Sequence, residues 1–359
     1  MKNKVFLILA AVLIFSCKEN TGTKENNSTK ENTGINKFDI VGSLEMSSGP
    51  KDLAVKDNYL FACINDKIDI IDISDVSKPV KISTFDDLFE GNNFQSLYRQ
   101  GNVLYAGCTQ SAGVYALDIS NPKSINILHK NLNKIDGNKV KAYDLFADDQ
   151  FLWASGSGIL VKYDKNTLKA LDYNIIQGSG NTGEGVWANA TNVFMSTTNG
   201  HVYSFDKNDL SKGIIGDFSF TNEPGHKHWG RSVVGKNNKL YWADWGAGFV
   251  TLDVTQPEKP KPLAIITQSS FKQDFPKAEG TDVYDVLIHH QTGKIYLANG
   301  WSGVVEIDPA NPGHVASYKD FKYKHFYCIE QYKNYIITSD IAGGRNNEMK
   351  GIDVIKVGN

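Results

Sequence analysis

The sequence predicts an all-β protein, a seven-bladed β-propeller of four-stranded antiparallel blades, and three observations predict it. A strand-like segment recurs seven times and ends, in six cases at an aspartate, at residues 72, 118, 164, 206, 253, 308 and 356. Before each segment lie two β-rich runs separated by a cluster of Asn, Asp, Gly or Lys, the composition of a tight hairpin. No stretch keeps a helical period beyond a few residues. A repeat of this length built only from strands is typical of a propeller.

The two ends of the repeat array complete each other. The last unit stops after IDVIK (352–356) without a fourth strand, and FDIVGSLE (38–45) is a lone strand ahead of the first unit. Pairing the two leaves no blade edge open. We therefore expect the N-terminal strand, residues 38–46, to pair with the C-terminal blade, and residues 38–359 to form one propeller.

Four units share a longer motif after the strand. It reads IDIIDISDVSKPV at 68–80, VYALDISNPKSI at 114–125, FVTLDVTQPEKPKPL at 249–263 and VVEIDPANPGHV at 304–315. The pattern resembles the LVIVD-repeat family of bacterial and archaeal cell-surface β-propellers. The resemblance implies extracytoplasmic binding or scaffolding and no particular chemistry.

The aspartates that end these strands are predicted to be structural. Asp followed by Ser or Thr forms side-chain-capped turns, and a proline suits the exit of a hairpin that needs no further donor. The residues concerned are Asp72, Asp118, Asp164, Asp206, Asp253 and Asp308.

The N-terminus predicts a lipid anchor. Residues 1–16 have two lysines and then an apolar run too short to span a bilayer as a helix, as in a secretory signal peptide. The stretch Ile14-Phe15-Ser16-Cys17 resembles the lipobox of bacterial lipoproteins, which implies cleavage before Cys17 and its acylation, for example with palmitate. Ordinary signal-peptide cleavage is the alternative.

A polar stretch follows the anchor and is predicted to be a disordered tether. Residues 17–37 repeat a KENTGT-like hexapeptide and contain almost no aliphatic or aromatic side chain, so they cannot bury enough apolar surface to fold. We expect the propeller to be anchored by lipid at the outer membrane, either exposed at the cell surface or facing the periplasm. The basic-then-acidic pair Lys18-Glu19 favours the cell surface.

Charge and cysteine content exclude some partners. The formal charge is −2 and becomes −4 when Lys2 and Lys4 leave with the leader, which argues against nucleic acid. Cys63, Cys108 and Cys328 have no metal-ligand spacing; they are interpreted as buried apolar residues, although a disulfide between two of them stays open.

Function is expected at one mouth of the central channel. Aligning the units places Lys51, Gln95, Tyr143, Gly185, Arg231, Tyr284 and Tyr327 at one equivalent position there. The next position holds Asp52, Ser96, Asp144, Val186, Ser232, Asp285 and Cys328. Because side chains alternate along a strand, one set faces the channel and the other packs between blades. Trp187 aligns with Leu53 and Leu145 and is interpreted as core.

Nearby loops supply aromatic residues that suit a flat ligand. Trp245 and Trp301 lie among glycines in ADWGAG (243–248) and ANGWSG (298–303), and GHKHWGR (225–231) adds Trp229 beside Arg231. Such rings can stack on a sugar, or they can fill the seams between blades. The predicted binding residues are Trp229, Arg231, Trp245 and Trp301 with Tyr143, Tyr284 and Tyr327.

The same residues permit a second, catalytic hypothesis. A polysaccharide lyase needs a cation for the uronate carboxylate and a Tyr or His to take the adjacent proton. Arg231 with His325, Tyr284, Tyr327 or His228 could supply both. The alternative is a structural arginine that is paired with Asp285 and surrounded by tyrosines.

No cofactor and no metal site are predicted. His226 and His228 are two residues apart but lack a third ligand, and no phosphate-binding loop, nucleophile elbow or zinc-protease motif occurs. His289 and His290 fall in a hairpin on the opposite face, and the insertion at 266–282 is expected to overhang the mouth. Three functions remain open. The first is a binding module for a glycan, a small molecule or a protein, which could belong to an outer-membrane uptake complex. The others are a lyase and a structural surface protein without a ligand.

Overall fold

The computed structural model describes residues 38–87, 91–176, 178, 182–219, 228–276, 282–321, 324–341 and 350–357. The predicted signal peptide (1–16), Cys17 and the tether (17–37) lie outside the described residues, as does His226.

The described strands form seven four-stranded antiparallel sheets, and thus the predicted seven-bladed propeller. Within six of these sheets the strands pair in chain order, with the innermost strand first. Blades one to three comprise β2 (Leu53–Lys56), β3 (Tyr59–Ile64), β4 (Lys67–Asp72) and β5 (Val80–Phe85); β6 (Phe94–Gln100), β7 (Val103–Cys108), β8 (Gly113–Asp118) and β9 (Asn126–Asn131); and β10 (Asp144–Ala147), β11 (Phe151–Gly156), β12 (Ile159–Asp164) and β13 (Ala170–Ile175).

Blades four to six follow the same plan. They comprise β14 (Gly183–Ala188), β15 (Asn192–Thr197), β16 (His201–Asp206) and β17 (Ile214–Ser219), with a short 3₁₀ turn at Leu210–Lys212; β18 (Gly230–Lys236), β19 (Lys239–Asp244), β20 (Gly248–Asp253) and β21 (Lys261–Ile266); and β22 (Asp285–Ile288), β23 (Ile295–Ala298), β24 (Val304–Ile307) and β25 (Val315–Lys319).

The seventh blade confirms the predicted closure of the ring. It consists of β26 (Phe326–Tyr332), β27 (Tyr335–Asp340), β28 (Gly351–Lys356) and, as its outermost strand, β1 (Ile40–Glu45). Strands β1 and β28 are antiparallel, with Ile40 opposite Ile355 and Glu45 opposite Gly351. The hydroxyl of Ser43 also donates to Asp353 at 2.5 Å. The two ends of the described chain therefore hold each other in one sheet.

Burial follows the position of a strand within its blade. Middle strands are packed on both faces by neighbouring blades, so β8 is buried over Gly113–Leu117, whereas the outermost strand β9 is exposed over most of its length. One apolar cluster joins blade two to blade three through Val114, Leu152 and Val161. This two-sided packing explains the near-continuous apolar runs of the third strands.

The six strand-ending aspartates have the predicted structural role. Each carboxylate accepts the backbone N–H two residues further on, at 2.8 to 3.1 Å. The turn hydrogen bonds also lower the pKa of these carboxyl groups, in Asp72 and Asp118 for example through Ser74 and Ser120. They shape hairpins and do not line the channel mouth.

The insertion before blade six contains α1 (Gln268–Asp274), which the sequence did not predict. Thr267 and Ser270 form a capping box at its start, and Phe271 is buried against Phe275 and against Tyr318 of the outermost strand β25, at ring distances of 5.3 Å. The expectation that the insertion overhangs the mouth is wrong for this helix, because its apolar face docks on the outer strand of blade six.

The three cysteines within the described residues are free and buried, so the open disulfide alternative is answered. Burial raises the pKa of each thiol. They behave as small core residues.

Candidate functional site

Residues at one equivalent position of the inner strands line the predicted channel mouth. They are Lys51, Gln95, Tyr143, Glu184, Arg231, Tyr284 and Tyr327. Blade four contributes Glu184 and not Gly185, so the sequence alignment was wrong by one residue there. Val186 pairs with Met195 as Leu53 pairs with Ala62 and Leu145 with Ala154, so Val186 takes the position of those leucines. The same register places Trp187 opposite Phe194, equivalent to Phe146 and not to Leu145.

Gly185 lies instead between blades four and five. A Cβ atom at this position would come within 2.4 Å of the carbonyl oxygen of Arg231. Only glycine permits this close approach of two strands, and the larger side chain of Glu184, one residue earlier, lies in the mouth.

The next position along the inner strands joins neighbouring blades. Asp52, Asp144 and Asp285 each accept the N–H of the following residue with one oxygen and an N–H of the next blade with the other. The second donors are Leu97, Val186 and Ile329, at 2.6 to 3.0 Å. These aspartates are therefore clamps between blades, beneath the mouth.

Burial dominates the charge state of the clamps. It raises the pKa of Asp144 to about 8 and that of Asp285 to about 6, although their backbone hydrogen bonds act in the opposite direction. Burial and the nearby Asp285 raise the pKa of Asp52 as well. The layer beneath the mouth consequently carries fewer negative charges than its composition suggests.

Arg231 lies in the mouth and is held there by an ion pair, a hydrogen bond and two aromatic rings. Its Nη1 pairs with Glu184 at 2.7 Å and its Nη2 donates to the hydroxyl of Tyr327. The guanidinium also lies 5.3 Å from the ring centroid of Tyr284 and 4.9 Å from that of Tyr327. The expected pairing of Arg231 with Asp285 was wrong. Asp285 joins two blades through backbone N–H groups, and Glu184 forms the ion pair with Arg231 instead.

The predicted aromatic residues of blades five to seven form one continuous cluster, which we call the aromatic crescent. It comprises Trp229, Trp245, Tyr284, Trp301, His325 and Tyr327. Neighbouring rings are 4.7 to 6.5 Å apart, and most pairs are edge-to-face or tilted, the arrangements that aromatic pairs prefer. Trp229 is 44% exposed, whereas Trp245 and Trp301 are half-buried. Tyr143 lines the mouth away from the crescent.

A buried aspartate that sequence reasoning missed shapes one arm of the crescent. Asp244 accepts the N–H groups of Trp229, Gly246 and Ala247 at 2.9 to 3.2 Å, and Trp245 N–H donates to the carbonyl of Trp229 at 3.0 Å. The carboxylate thereby fixes the two tryptophan loops against each other. The signal was present in the motif ADWGAG, where an aspartate precedes a glycine-rich turn.

The two candidate histidines have different surroundings. His228 contacts the carboxylate of Asp244 through Nδ1 at 3.2 Å. His325 is 6% exposed, its backbone N–H donates to Asp340, and its ring Nδ1 has no hydrogen-bond partner among the described residues. Burial lowers the pKa of His325, so its imidazole is neutral at pH 7.

The cavity at the mouth is small, about 70 Å³, room for a few water molecules at most. A sugar ring does not fit inside it and would lie across the crescent. Within the described ranges, no group of three or more His, Cys, Asp or Glu side chains could hold a metal ion, and no helix is long and apolar enough to cross a bilayer.

Comparison with known proteins supports the fold and its repeat. The model of the LVIVD repeat family matches residues 50–87, which contain the first blade. A search of curated proteins gave no match.

Similar solved structures include the computationally designed Ika8 protein, with a TM-score of 0.58 and 12% identity over 89% of this chain and 99% of that one. The β-propeller domain of Myceliophteria thermophila Cps50 has a TM-score of 0.66 and 11% identity, over 89% and 100% of the two chains. The WD40 propeller domain of Doa1 has a TM-score of 0.65 and 11% identity, over 89% and 96%. At these identities the likeness shows the fold alone.

Proposed function

We propose that this protein is a lipid-anchored, extracytoplasmic binding module whose propeller mouth binds a glycan on the aromatic crescent. The lipobox-like sequence at Cys17 and the polar stretch behind it support the anchor. The observation that carries the binding proposal is the crescent itself, in which the exposed Trp229 leads inward to Tyr284 and Tyr327 around Arg231.

Charge favours a neutral glycan over an acidic one. Glu184 neutralises Arg231 at 2.7 Å, and burial together with Arg231 lowers the pKa of Lys51. A uronate would have to compete with Glu184 for the guanidinium. A neutral sugar needs only ring faces to stack on and hydroxyl or guanidinium groups to bond with.

The test is calorimetric titration and thermal shift of the mature chain against neutral and acidic polysaccharides. A ligand at a hundred times its dissociation constant adds about 2.7 kcal/mol to the free energy of unfolding, which raises the melting temperature by a few degrees. Trp229→Ala should weaken binding about tenfold, or ~1.4 kcal/mol. Tyr173→Ala is the matched control, because Tyr173 is also an exposed aromatic, 39% accessible, but lies on the outermost strand of blade three.

The outcomes separate the alternatives. Equal losses in the Trp229 and Tyr173 variants would contradict a site at the crescent. A flat profile over all polysaccharides would overturn the glycan proposal and direct the search to a protein partner, such as an outer-membrane uptake complex, or to a structural role.

One observation keeps the lyase hypothesis testable. Burial raises the pKa of Tyr284 to about 12 and also raises the pKa of Tyr327, so both side chains are poor bases at neutral pH. His325, in contrast, is neutral, and its Nδ1 has no hydrogen-bond partner among the described residues. His325 packs on Tyr284 at 5.0 Å, and Arg231 packs on the same ring. A lyase would release unsaturated uronate products that absorb ultraviolet light, and His325→Ala would abolish their formation. Intact polysaccharide after long incubation with the unmodified protein would exclude this activity.

A further inference from the structure

The central channel contains a second cavity, separate from the mouth. Beneath the aspartate clamps it widens to about 580 Å³, within the range of small-molecule sites. Its far rim is formed by the hairpins between first and second strands and includes the exposed side chains of Asp57, Arg99, His290 and Lys333. We call this cavity the lower chamber; it opens on the face opposite the crescent.

One side of the lower chamber is an aromatic wall. Tyr98, Phe146 and Trp187 come from equivalent positions on blades two, three and four. Their rings form a row, with centroids 5.3 Å apart between Tyr98 and Phe146 and 6.3 Å apart between Phe146 and Trp187. All three are half-buried and line the cavity.

The indole of Trp187 is held in place from behind. It stacks on Phe194 at 5.9 Å with an interplanar angle of 24°. It also lies over Gly235, where a Cβ atom would come within 2.5 Å of the ring. The wall is thus a fixed surface, and the glycine on blade five makes room for it.

A single acid occupies the equivalent position on blade seven. Glu330 lines the same chamber, and in a ring of seven blades the seventh lies across from the third and fourth, so Glu330 faces Phe146 and Trp187. Its carboxylate accepts the N–H of Gln331 at 2.6 Å, and no Lys, Arg or His within the described residues comes within ion-pair distance of it. The equivalent positions on blades one, five and six are apolar: Ala54, Val234 and Leu287.

Glu330 therefore lacks a cation in the position where one would stabilise it. Burial raises its pKa to about 7, Asp285 adds to this increase, and Arg99 at the rim opposes it. Arg99 is exposed and its guanidinium reaches the carbonyl of Gly101. An ammonium group inside the chamber would stabilise the carboxylate directly.

We propose that the lower chamber is a second ligand site, which binds a small organic ammonium whose apolar body lies against Tyr98, Phe146 and Trp187 and whose charged nitrogen pairs with Glu330. Aromatic faces attract cations as well as apolar groups. An anion would meet the carboxylate of Glu330 unfavourably, and a neutral ligand would leave that carboxylate without a cation.

The experiment is calorimetric titration of the mature chain with three probes that share an indole ring and differ in charge: tryptamine, tryptophol and indole-3-acetate. Tryptamine should bind at least about tenfold more tightly than tryptophol, and indole-3-acetate should bind most weakly. Glu330→Gln should remove the preference for tryptamine over tryptophol. Trp187→Leu should weaken the binding of both tryptamine and tryptophol, and Tyr98→Leu repeats this test at the other end of the aromatic row.

Two further arms make the result specific to the chamber. Trp229→Ala should leave tryptamine binding unchanged, because it lies on the opposite face; a loss in this variant would move the binding to the crescent and overturn the proposal. Equal affinities for tryptamine and tryptophol in the unmodified chain, an unchanged preference in Glu330→Gln, or no binding at millimolar concentration would each overturn it as well. None of these outcomes depends on whether the mouth binds a glycan.

Discussion

At the scale of the residue, Glu184 decides the chemistry of the mouth. It converts Arg231 from a free cation, which would suit an acidic ligand, into one half of a largely buried ion pair, with side chains 8% and 13% exposed. Removal of one partner from such a pair leaves the other charge uncompensated.

Glu184→Gln should therefore change both stability and specificity. We expect the free energy of unfolding to fall by about 1–3 kcal/mol, because the amide keeps one hydrogen bond but not the charge. The freed guanidinium should bind uronate-containing polysaccharides more tightly than the unmodified chain does. Denaturant titration and calorimetry measure the two effects, and unchanged affinity for acidic glycans would show that Glu184 does not control access to Arg231.

The clamp Asp144 gives stability a pH dependence with a defined sign. Its pKa is about 8 in the folded state and about 3.9 in an unfolded chain. Between pH 4 and pH 8 the carboxyl group of Asp144 binds a proton in the folded state but not in the unfolded state. The contribution of Asp144 to the free energy of unfolding is therefore complete below pH 4 and is lost as the pH rises through 8, by up to about 1.4 kcal/mol per pH unit.

Asp144→Asn should flatten that dependence. The amide cannot accept both N–H groups, so the variant should be less stable at pH 5 by about 1–3 kcal/mol. Because the unmodified chain loses up to about 1.4 kcal/mol per pH unit as the pH rises to 8, this difference should shrink and then reverse before pH 9. Urea titrations from pH 5 to 9 measure it. Parallel stability curves for the two proteins would mean that Asp144 keeps an ordinary pKa in the fold.

The residue scale is also where sequence reasoning was least complete. The alternation of strand side chains predicted that one of two sets faces the channel, and the convergence of Trp229, Arg231, Tyr284 and Tyr327 followed from it. A shift of one residue in the register of blade four changes the spacing of the repeat very little, so the position of Glu184 could not be read from that spacing. Asp244 was missed because three of its partners are backbone N–H groups, which every residue supplies.

At the scale of the element, β1 is the strand on which the closure of the ring depends. It is the outermost strand of blade seven but comes first in the chain. It covers the edge of β28 with an antiparallel ladder from Ile40 to Glu45 that is interrupted once, between Ile40 and Gly42. Without it β28 would present unpaired backbone groups at the surface.

Deletion of residues 38–46 should destabilise the whole ring. We expect a fall in melting temperature of more than about 10 °C, or aggregation through the exposed edge, because loss of the strand opens the last blade. Deletion of residues 18–36, within the predicted tether, is the control and should leave the melting temperature unchanged. Equal melting temperatures for both deletions would contradict closure by β1.

Helix α1 shows what repeat spacing leaves undetermined. The spacing located an insertion before blade six but said nothing of its structure, since seven residues are too few for a reliable helical period. The capping box at Thr267 and Ser270 and the buried Phe271 fix it in the fold. Local capping and one tertiary contact, not a long amphipathic pattern, produce this helix.

At the scale of the whole molecule, the fold was predicted almost completely. Seven recurrences of one supersecondary unit leave little freedom, because each blade buries its faces only against its neighbours. What binds at the two openings of the channel depends on single side chains that vary from blade to blade, and repetition gives no information about those.

The predicted anchor gives a test of where the molecule resides. Cys17→Ser should prevent acylation, so that the protein leaves the membrane fraction and is recovered in the soluble fraction. Two or three acyl chains anchor a protein stably to a bilayer, whereas residues 18–37 contain no apolar segment to replace them. Fractionation and mass determination of the mature N-terminus measure this; unchanged membrane association in the variant would contradict lipid anchoring through Cys17.

The pairing of β1 with β28 also sets an order of events in the life of the chain. A polypeptide that crosses a membrane N-terminus first delivers β1 at the start and β28 at the end, about 310 residues later. Blades one to six can assemble as they emerge, but the first strand must wait unpaired until the last one arrives. The molecule therefore cannot become a closed ring, nor present a complete channel, before β28 is available to pair with β1.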